Sequence, residues 1–182
     1  GVIEAGGAGS STAYGVYSTG DSTVTNKGRI SVSGSGAAAV AGAGNMTLIN
    51  TGAVLANGAG SVGFFAGNTA TLNNTGQVSG AAAGVAANGS VNITNSGSIS
   101  GATGIQVNVA STPATGSVIN NNGTIVGTSG TAIQLTGAAD TLTIGRNSRI
   151  SGLIAIGGGG DTINLDAGGH RSQVLAFDTL QG

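Results

Sequence analysis

Apolar and polar positions alternate along this chain in short bursts. Segments such as Thr69-Ala70-Thr71-Leu72-Asn73 and Ser90-Val91-Asn92-Ile93-Thr94 place an apolar side chain at every second residue, the period of a strand with one buried face. The bursts end at Gly, Asn or Ser, which favour turns. No segment carries a capped apolar stripe at helical spacing, so the pattern predicts strands without helices.

The bursts belong to a repeat. The phrase Asn-x-Gly-x-Ile/Val occurs as Asn26-Lys27-Gly28-Arg29-Ile30, Asn50-Thr51-Gly52-Ala53-Val54, Asn74-Thr75-Gly76-Gln77-Val78, Asn95-Ser96-Gly97-Ser98-Ile99 and Asn121-Asn122-Gly123-Thr124-Ile125. Gly1-Val2-Ile3 begins mid-phrase, and in Arg146-Asn147-Ser148-Arg149-Ile150 Arg and Ser stand at the Asn and Gly positions. The Gly positions fall at 1, 28, 52, 76, 97, 123 and 148, separated by 27, 24, 24, 21, 26 and 25 residues. Such a period belongs to solenoids. Two further apolar positions keep their place in each repeat. Four residues before the marked Gly lie Val24, Leu48, Leu72, Ile93, Ile119 and Ile144, and in mid-repeat lie Val16, Val40, Phe64, Val85, Ile105 and Ile133.

Three short strands in each repeat of about 24 residues leave no room for helical crossovers, so the predicted fold is all-β, a parallel β-helix of about seven coils. At a strand spacing of ~4.8 Å the coils make a rod roughly 34 Å long. Abundant Ala and Gly suit its narrow interior. The five Asn residues Asn26, Asn50, Asn74, Asn95 and Asn121 are predicted to stack as a ladder of side-chain amides. Gly28, Gly52, Gly76, Gly97 and Gly123 are predicted to occupy sharp corners with positive φ, which Asn also tolerates. Phe64 and Phe65 are adjacent in a strand, so one must point outward; a wider loop covering it is the preferred explanation.

Composition sharpens the picture. The chain has 182 residues with 37 Gly, one Pro and no Cys, and 5 Lys+Arg against 6 Asp+Glu leave a formal net charge of -1. That balance argues against nucleic acid and anionic membrane surfaces, which require basic patches. Collagen is excluded because Gly keeps no three-residue period, and no apolar run is long enough to span a membrane. Recurrent Val, Ile and Thr argue against disorder. The first residues lack the pattern of a signal peptide.

Chemistry is scarce. The carboxylates are Glu4, Asp21, Asp140, Asp161, Asp166 and Asp178, with none between residues 22 and 139. Acid–base cleavage of a glycan needs paired carboxylates, so the central coils offer no such site. Near the C-terminal end, Asp140-Thr141-Leu142-Thr143-Ile144 and Asp161-Thr162-Ile163-Asn164-Leu165-Asp166 follow Gly/Ala clusters. The second partly matches a calcium-binding nonapeptide, which makes Asp140, Asp161 and Asp166 calcium candidates. That motif works in tandem and no adjacent copy follows, so a corner Asp starting a stacked strand is the preferred reading. His170 and Arg171 form a lone cationic pair nearby, read as surface residues. No catalytic residue, cofactor or metal is assigned.

The iterated phrases, as in Asn74-Thr75-Gly76-Gln77-Val78-Ser79-Gly80, the segment Gly159-Gly160-Asp161-Thr162-Ile163-Asn164-Leu165 and the closing Phe177-Asp178-Thr179-Leu180-Gln181-Gly182 resemble the passenger domains of Gram-negative autotransporters (type V secretion). The resemblance covers essentially the whole chain. It implies a right-handed β-helix exported to the bacterial cell surface or secreted, anchored through a C-terminal outer-membrane barrel of the parent chain. It also implies adhesion to host cell surfaces or extracellular matrix, or self-association. The expectation is therefore a single non-catalytic segment, 1–182, excised from a longer passenger, with 166–182 as an irregular end of the repeat and no membrane insertion of its own. The alternative is a polysaccharide-processing β-helix, a lyase or tailspike-like hydrolase. Binding of ice or another crystal surface by Thr rows is set aside because the Thr residues keep no single column in the sequence.

Overall fold

The computed structural model describes residues 1–7, 12–108, 115–166 and, as backbone alone, 180–181. The chain winds as a right-handed parallel β-helix without helices among the described residues. Its first face stacks β1 (Val2–Ala5), β4 (Arg29–Val32), β7 (Ala53–Ala56) and β10 (Gln77–Gly80). A second face stacks β2 (Tyr14–Ser18), β5 (Ala38–Gly42), β8 (Val62–Ala66) and β11 (Ala83–Ala87). Both continue into β13 (Ser98–Val107), β15 (Thr124–Gln134) and β17 (Arg149–Ala155), and β19 (Leu180–Gln181) pairs with β17 to complete a 12-stranded sheet. The third face is a separate 7-stranded sheet of β3 (Ser22–Asn26), β6 (Met46–Asn50), β9 (Ala70–Asn74), β12 (Val91–Asn95), β14 (Val118–Asn121), β16 (Thr141–Ile144) and β18 (Thr162–Leu165). The seven rungs of this face enclose six full turns, and after the last of them β19 stacks on the second-face part of β17.

Three strands per coil hold only through β12. In β13, β15 and β17 the first two strands of the coil run together as one, with register shifts at Gly101/Thr103 and Val126/Thr131 marking the bend. The corner that separates them elsewhere is short or extended here. It spans five residues at 33–37 and at 57–61 but two at 81–82, and those three missing residues account for the 21-residue repeat. The longer repeat that follows has ten residues between β13 and β14, where three separate β11 from β12.

Inside, three apolar columns meet. Ile3, Ile30, Val54, Val78, Ile99, Ile125 and Ile150 stack on the first face. Val16, Val40, Phe64, Val85, Ile105, Ile133 and Ile154 stack on the second. Val24, Leu48, Leu72, Ile93 and Ile119 continue through Leu142 and Ile163 on the third. Leu142 replaces the expected Ile144, which pairs with Asn121. The reason lies in the turn after β16: residues 145–148 separate it from β17, where two residues serve after β6 and β9, so counting back four from Ser148 stops two residues short of Leu142. The narrow interior explains the small residues. A Cβ on Gly84 would lie 2.7 Å from the Ile99 Cγ2, and one on Gly104 2.8 Å from the Ile125 Cγ2.

Phe64 is buried and Phe65 is the outward, half-buried member of the pair. No wider loop accompanies it; the corners on either side of β8 are no longer than those of the preceding coil. Phe65 instead stands between Ala41 and Ala86 in the outward column, where small neighbours leave room for a ring. His170, Arg171, Phe177, Asp178 and most of the expected irregular end at 166–182 lie outside the described residues.

Candidate functional site

Two polar columns and one glycine column hold the coils together, and they decide which side chains remain for other tasks. In the first column the Asn26 Nδ2 donates to the Asn50 Oδ1 at 2.8 Å, Asn50 to Asn74 at 2.8 Å, Asn74 to Asn95 at 2.8 Å and Asn95 to Asn121 at 2.7 Å. Each of these four amides also donates to the carbonyl two residues on and to one carbonyl of the next coil, as Asn74 does to Gly76 and Ser98. Asn50 and Asn74 are fully buried. Every amide points its N–H toward the later coil, and the series ends where the Asn121 Nδ2 donates to the Ser148 hydroxyl. Ser148 therefore terminates the ladder, while Ile144 occupies the next Asn slot.

Gly28, Gly52, Gly76, Gly97 and Gly123 form a column of their own, but for a reason other than positive φ. None of the five has φ in the left-handed region, and neither do the ladder Asn residues; the positive-φ glycines are elsewhere, such as Gly36 and Gly60. What excludes a side chain is the coil beneath. A Cβ would fall 1.9 Å from the Gly1 carbonyl oxygen at Gly28, 2.0 Å from that of Gly28 at Gly52, and 2.0 Å from that of Gly52 at Gly76. The same carbonyls accept the N–H groups of Arg29, Ala53 and Gln77 at 3.0, 2.8 and 2.8 Å. Close backbone stacking fixes glycine at these corners.

The second polar column has no single residue type; only Asp140 and Asp161, read from the sequence as corner residues starting stacked strands, are expected members of it. It comprises the residue before each strand of the third face: Asp21, Asn45, Thr69, Ser90, Ser117, Asp140 and Asp161. Asp21 accepts from the Asn45 N–H at 2.7 Å and from the Asn45 side-chain amide at 3.0 Å. The Thr69 and Ser90 hydroxyls bond at 3.2 Å, the Val91 N–H donates to the Ser117 hydroxyl, the Ser117 N–H donates to the Asp140 Oδ1, and the Asp140 N–H donates to the Asp161 Oδ1 at 2.9 Å. The detectable signal was positional: a short polar residue always precedes the apolar alternation, while its identity changes.

This column decides the calcium candidates. Asp140 and Asp161 are stacked neighbours that begin β16 and β18, whereas Asp166 follows β18 at its other end, ~16 Å along the strand. The three carboxylates do not converge, and among the described residues no group of three His, Cys, Asp or Glu side chains could hold a metal ion. One oxygen each of Asp140 and Asp161 is already engaged by a backbone N–H.

Asp140 is 2% exposed, and its Oδ2 is buried without a hydrogen-bond partner. Burial raises its pKa above the ordinary carboxylate value, the Ser117 N–H opposes that, and the neighbouring Asp161 charge adds to it. A raised folded-state pKa means that the proton binds the folded chain more tightly. Its stabilising effect is complete below the ordinary Asp range and is lost as pH rises through the raised value. Asp21 behaves oppositely: its bonds from the Asn45 side chain and backbone lower its pKa, so its contribution is present at neutral pH and lost on acidification. Asp140→Asn is therefore expected to raise the melting temperature at neutral pH and to remove the stabilisation that mild acid gives the parent. Thermal melts across the acid range check both effects; a variant melting below the parent at neutral pH would contradict this account of the buried charge.

The surfaces left free are the outward sides of the sheets. The third face is the most regular: the pairings of all its strands run without a register shift. One outward row is Thr23, Thr47, Thr71, Asn92, Val118, Thr141 and Thr162, the other Thr25, Ile49, Asn73, Thr94, Asn120, Thr143 and Asn164. At its later end the second row borders an open cleft of about 540 Å³ lined by Thr94, Asn120, Asn122, Thr143, Arg146 and Asp166. On the second face the exposed Tyr14 and Tyr17 rings lie with centroids 4.7 Å apart.

Fold and surface together define a parallel β-solenoid whose third face is repetitive and uncharged at its outward positions. Comparison with known proteins returned no matching family model, no matching curated protein and no matching solved structure.

Proposed function

We propose that this chain is a non-catalytic segment of a bacterial cell-surface stalk that acts by contact, adhering to host surfaces or matrix or to its own kind. In this reading the parent protein resembles an autotransporter adhesin and is anchored through an outer-membrane barrel. The observation that carries it is the use made of the repeat's polar residues. The Asn ladder and the Asp-containing column spend their hydrogen bonds between coils, while uncharged side chains recur along the third face. Many weak contacts repeated on a rigid rod sum through multivalency without a deep pocket.

The test displays the parent protein on non-adherent bacteria and scores autoaggregation and host-cell binding, together with sugar release from acidic and capsular polysaccharides. Adhesion that persists in Asp161→Asn and Asp166→Asn, with no sugar released, is the expected outcome. Sugar release abolished by either substitution would replace this reading with that of a polysaccharide-processing β-helix.

A further inference from the structure

Sequence spacing alone scatters the Thr residues, but the strand register gathers them. Thr23, Thr47, Thr71, Thr141 and Thr162 share one outward column of the third face, and Thr25, Thr94 and Thr143 share the other. The reason for setting aside a crystal-surface ligand is therefore removed by the fold. Of the 14 outward positions, eight are Thr, four are Asn, and the remaining two, Ile49 and Val118, are β-branched like Thr.

We propose that this third face adsorbs to ice, taking as its ligand the water layer ordered over its Thr and Asn rows. Three features carry the inference. The first is geometry. Side chains repeat every ~4.8 Å from coil to coil and about 6.7 Å between the two rows of a strand, a two-dimensional net of hydrogen-bonding groups comparable in spacing to the oxygen rows of hexagonal ice. The second is stiffness. A β-branched side chain in a strand has few rotamers, so its hydroxyl and methyl are held before binding and little entropy is lost on adsorption.

The third is charge. No outward position of this face bears a charge, although the described chain has charges elsewhere: Glu4, Arg29 and Arg149 project from the first face. A charged head group keeps its own strongly bound water and would interrupt a lattice. A second copy of the chain is the competing occupant of a neutral sheet face. Six spacings of ~4.8 Å by a strand width of ~16 Å give about 900 Å² over both partners, below the roughly 1,200–2,000 Å² of a stable interface. A crystal lattice makes no such demand, since it meets every node of the array.

The experiment uses the full chain in freezing-point hysteresis and ice-recrystallisation assays. The double variant Thr47→Lys/Thr71→Lys is compared with Gln77→Lys, which adds the same charge to the first face, and circular dichroism verifies the strand content of each. The parent is expected to shape ice and depress its growth, the double variant to lose about tenfold of that activity, and Gln77→Lys to keep it. Should Thr47→Lys/Thr71→Lys not fold, Thr23→Lys/Thr25→Lys, at two exposed positions of the same rows, makes the same test. A parent without effect on ice overturns the proposal, as does a folded double variant as active as the parent. Sedimentation in the same buffers separates the rival: association abolished by the lysines, without any ice activity, would assign the face to a second copy. None of these outcomes depends on adhesion to cells, so the proposal and the stalk reading fail independently.

Discussion

Gly76→Ala is expected to destabilise the solenoid by at least about 3 kcal/mol, the upper range for overpacking a closely fitted interior. The added methyl would lie 2.0 Å from the Gly52 carbonyl oxygen, with the Thr51 carbonyl carbon at 2.8 Å and the Gly52 nitrogen at 2.9 Å. All three are backbone atoms, so no side chain can swing aside to relieve the contact. Moving the coils apart would lengthen the bond from the Gln77 N–H to that same oxygen. Gly20→Ala is the control, because a Cβ there meets nothing within 4 Å and no positive φ is involved. The companion variant Gly76→Asn separates two explanations. Asn tolerates positive φ, so it would be accepted if conformation required glycine; close stacking predicts that it fails as Ala does. Chemical denaturation of the three variants measures this, and a Gly76→Ala protein as stable as the parent would refute the stacked-backbone explanation.

Asn74→Ala is expected to follow in severity. Asn74 is fully buried in the middle of the ladder. Its loss removes one of the three acceptors of the Asn50 amide and leaves the Asn95 oxygen without its donor. It also removes the bonds to the Gly76 and Ser98 carbonyls. Each buried polar group left unsatisfied costs about 1–3 kcal/mol. Asn26→Ala should cost less, because Asn26 is the first rung and its removal orphans a partner in one direction only. Equilibrium unfolding of both variants gives the comparison. Equal losses at the two positions would mean that the amides act singly, through their own corner carbonyls, and not as a ladder.

The strand period and the repeat of Asn-x-Gly-x-Ile were enough to predict a parallel β-helix and to select its inward columns, because each coil is a local unit whose apolar positions must meet the same positions of its neighbours. The ladder Asn residues were legible for the same reason: one residue type recurs at one place, and only stacking puts such residues within bonding distance. The glycine column was located, but its cause was mistaken. Sequence reveals that glycine recurs, while whether it answers to a torsion angle or to a carbonyl 2.0 Å away depends on the coil beneath.

Other features needed the tertiary structure altogether. The second polar column changes identity from Asp21 through Asn45, Thr69 and Ser117 to Asp161, since several short side chains can accept or relay a bond at the start of a strand. The number of residues between successive strands differs, two at 81–82 and ten between β13 and β14, so equal spacing in sequence no longer means equal height or face in space. That variation hid the alignment of Thr71 with Thr141 and Thr162, and it put Leu142 in the column position read as Ile144's. Burial columns survive such irregular corners because apolar packing pulls each strand back into register. The outward rows follow passively, and only the register itself reveals them.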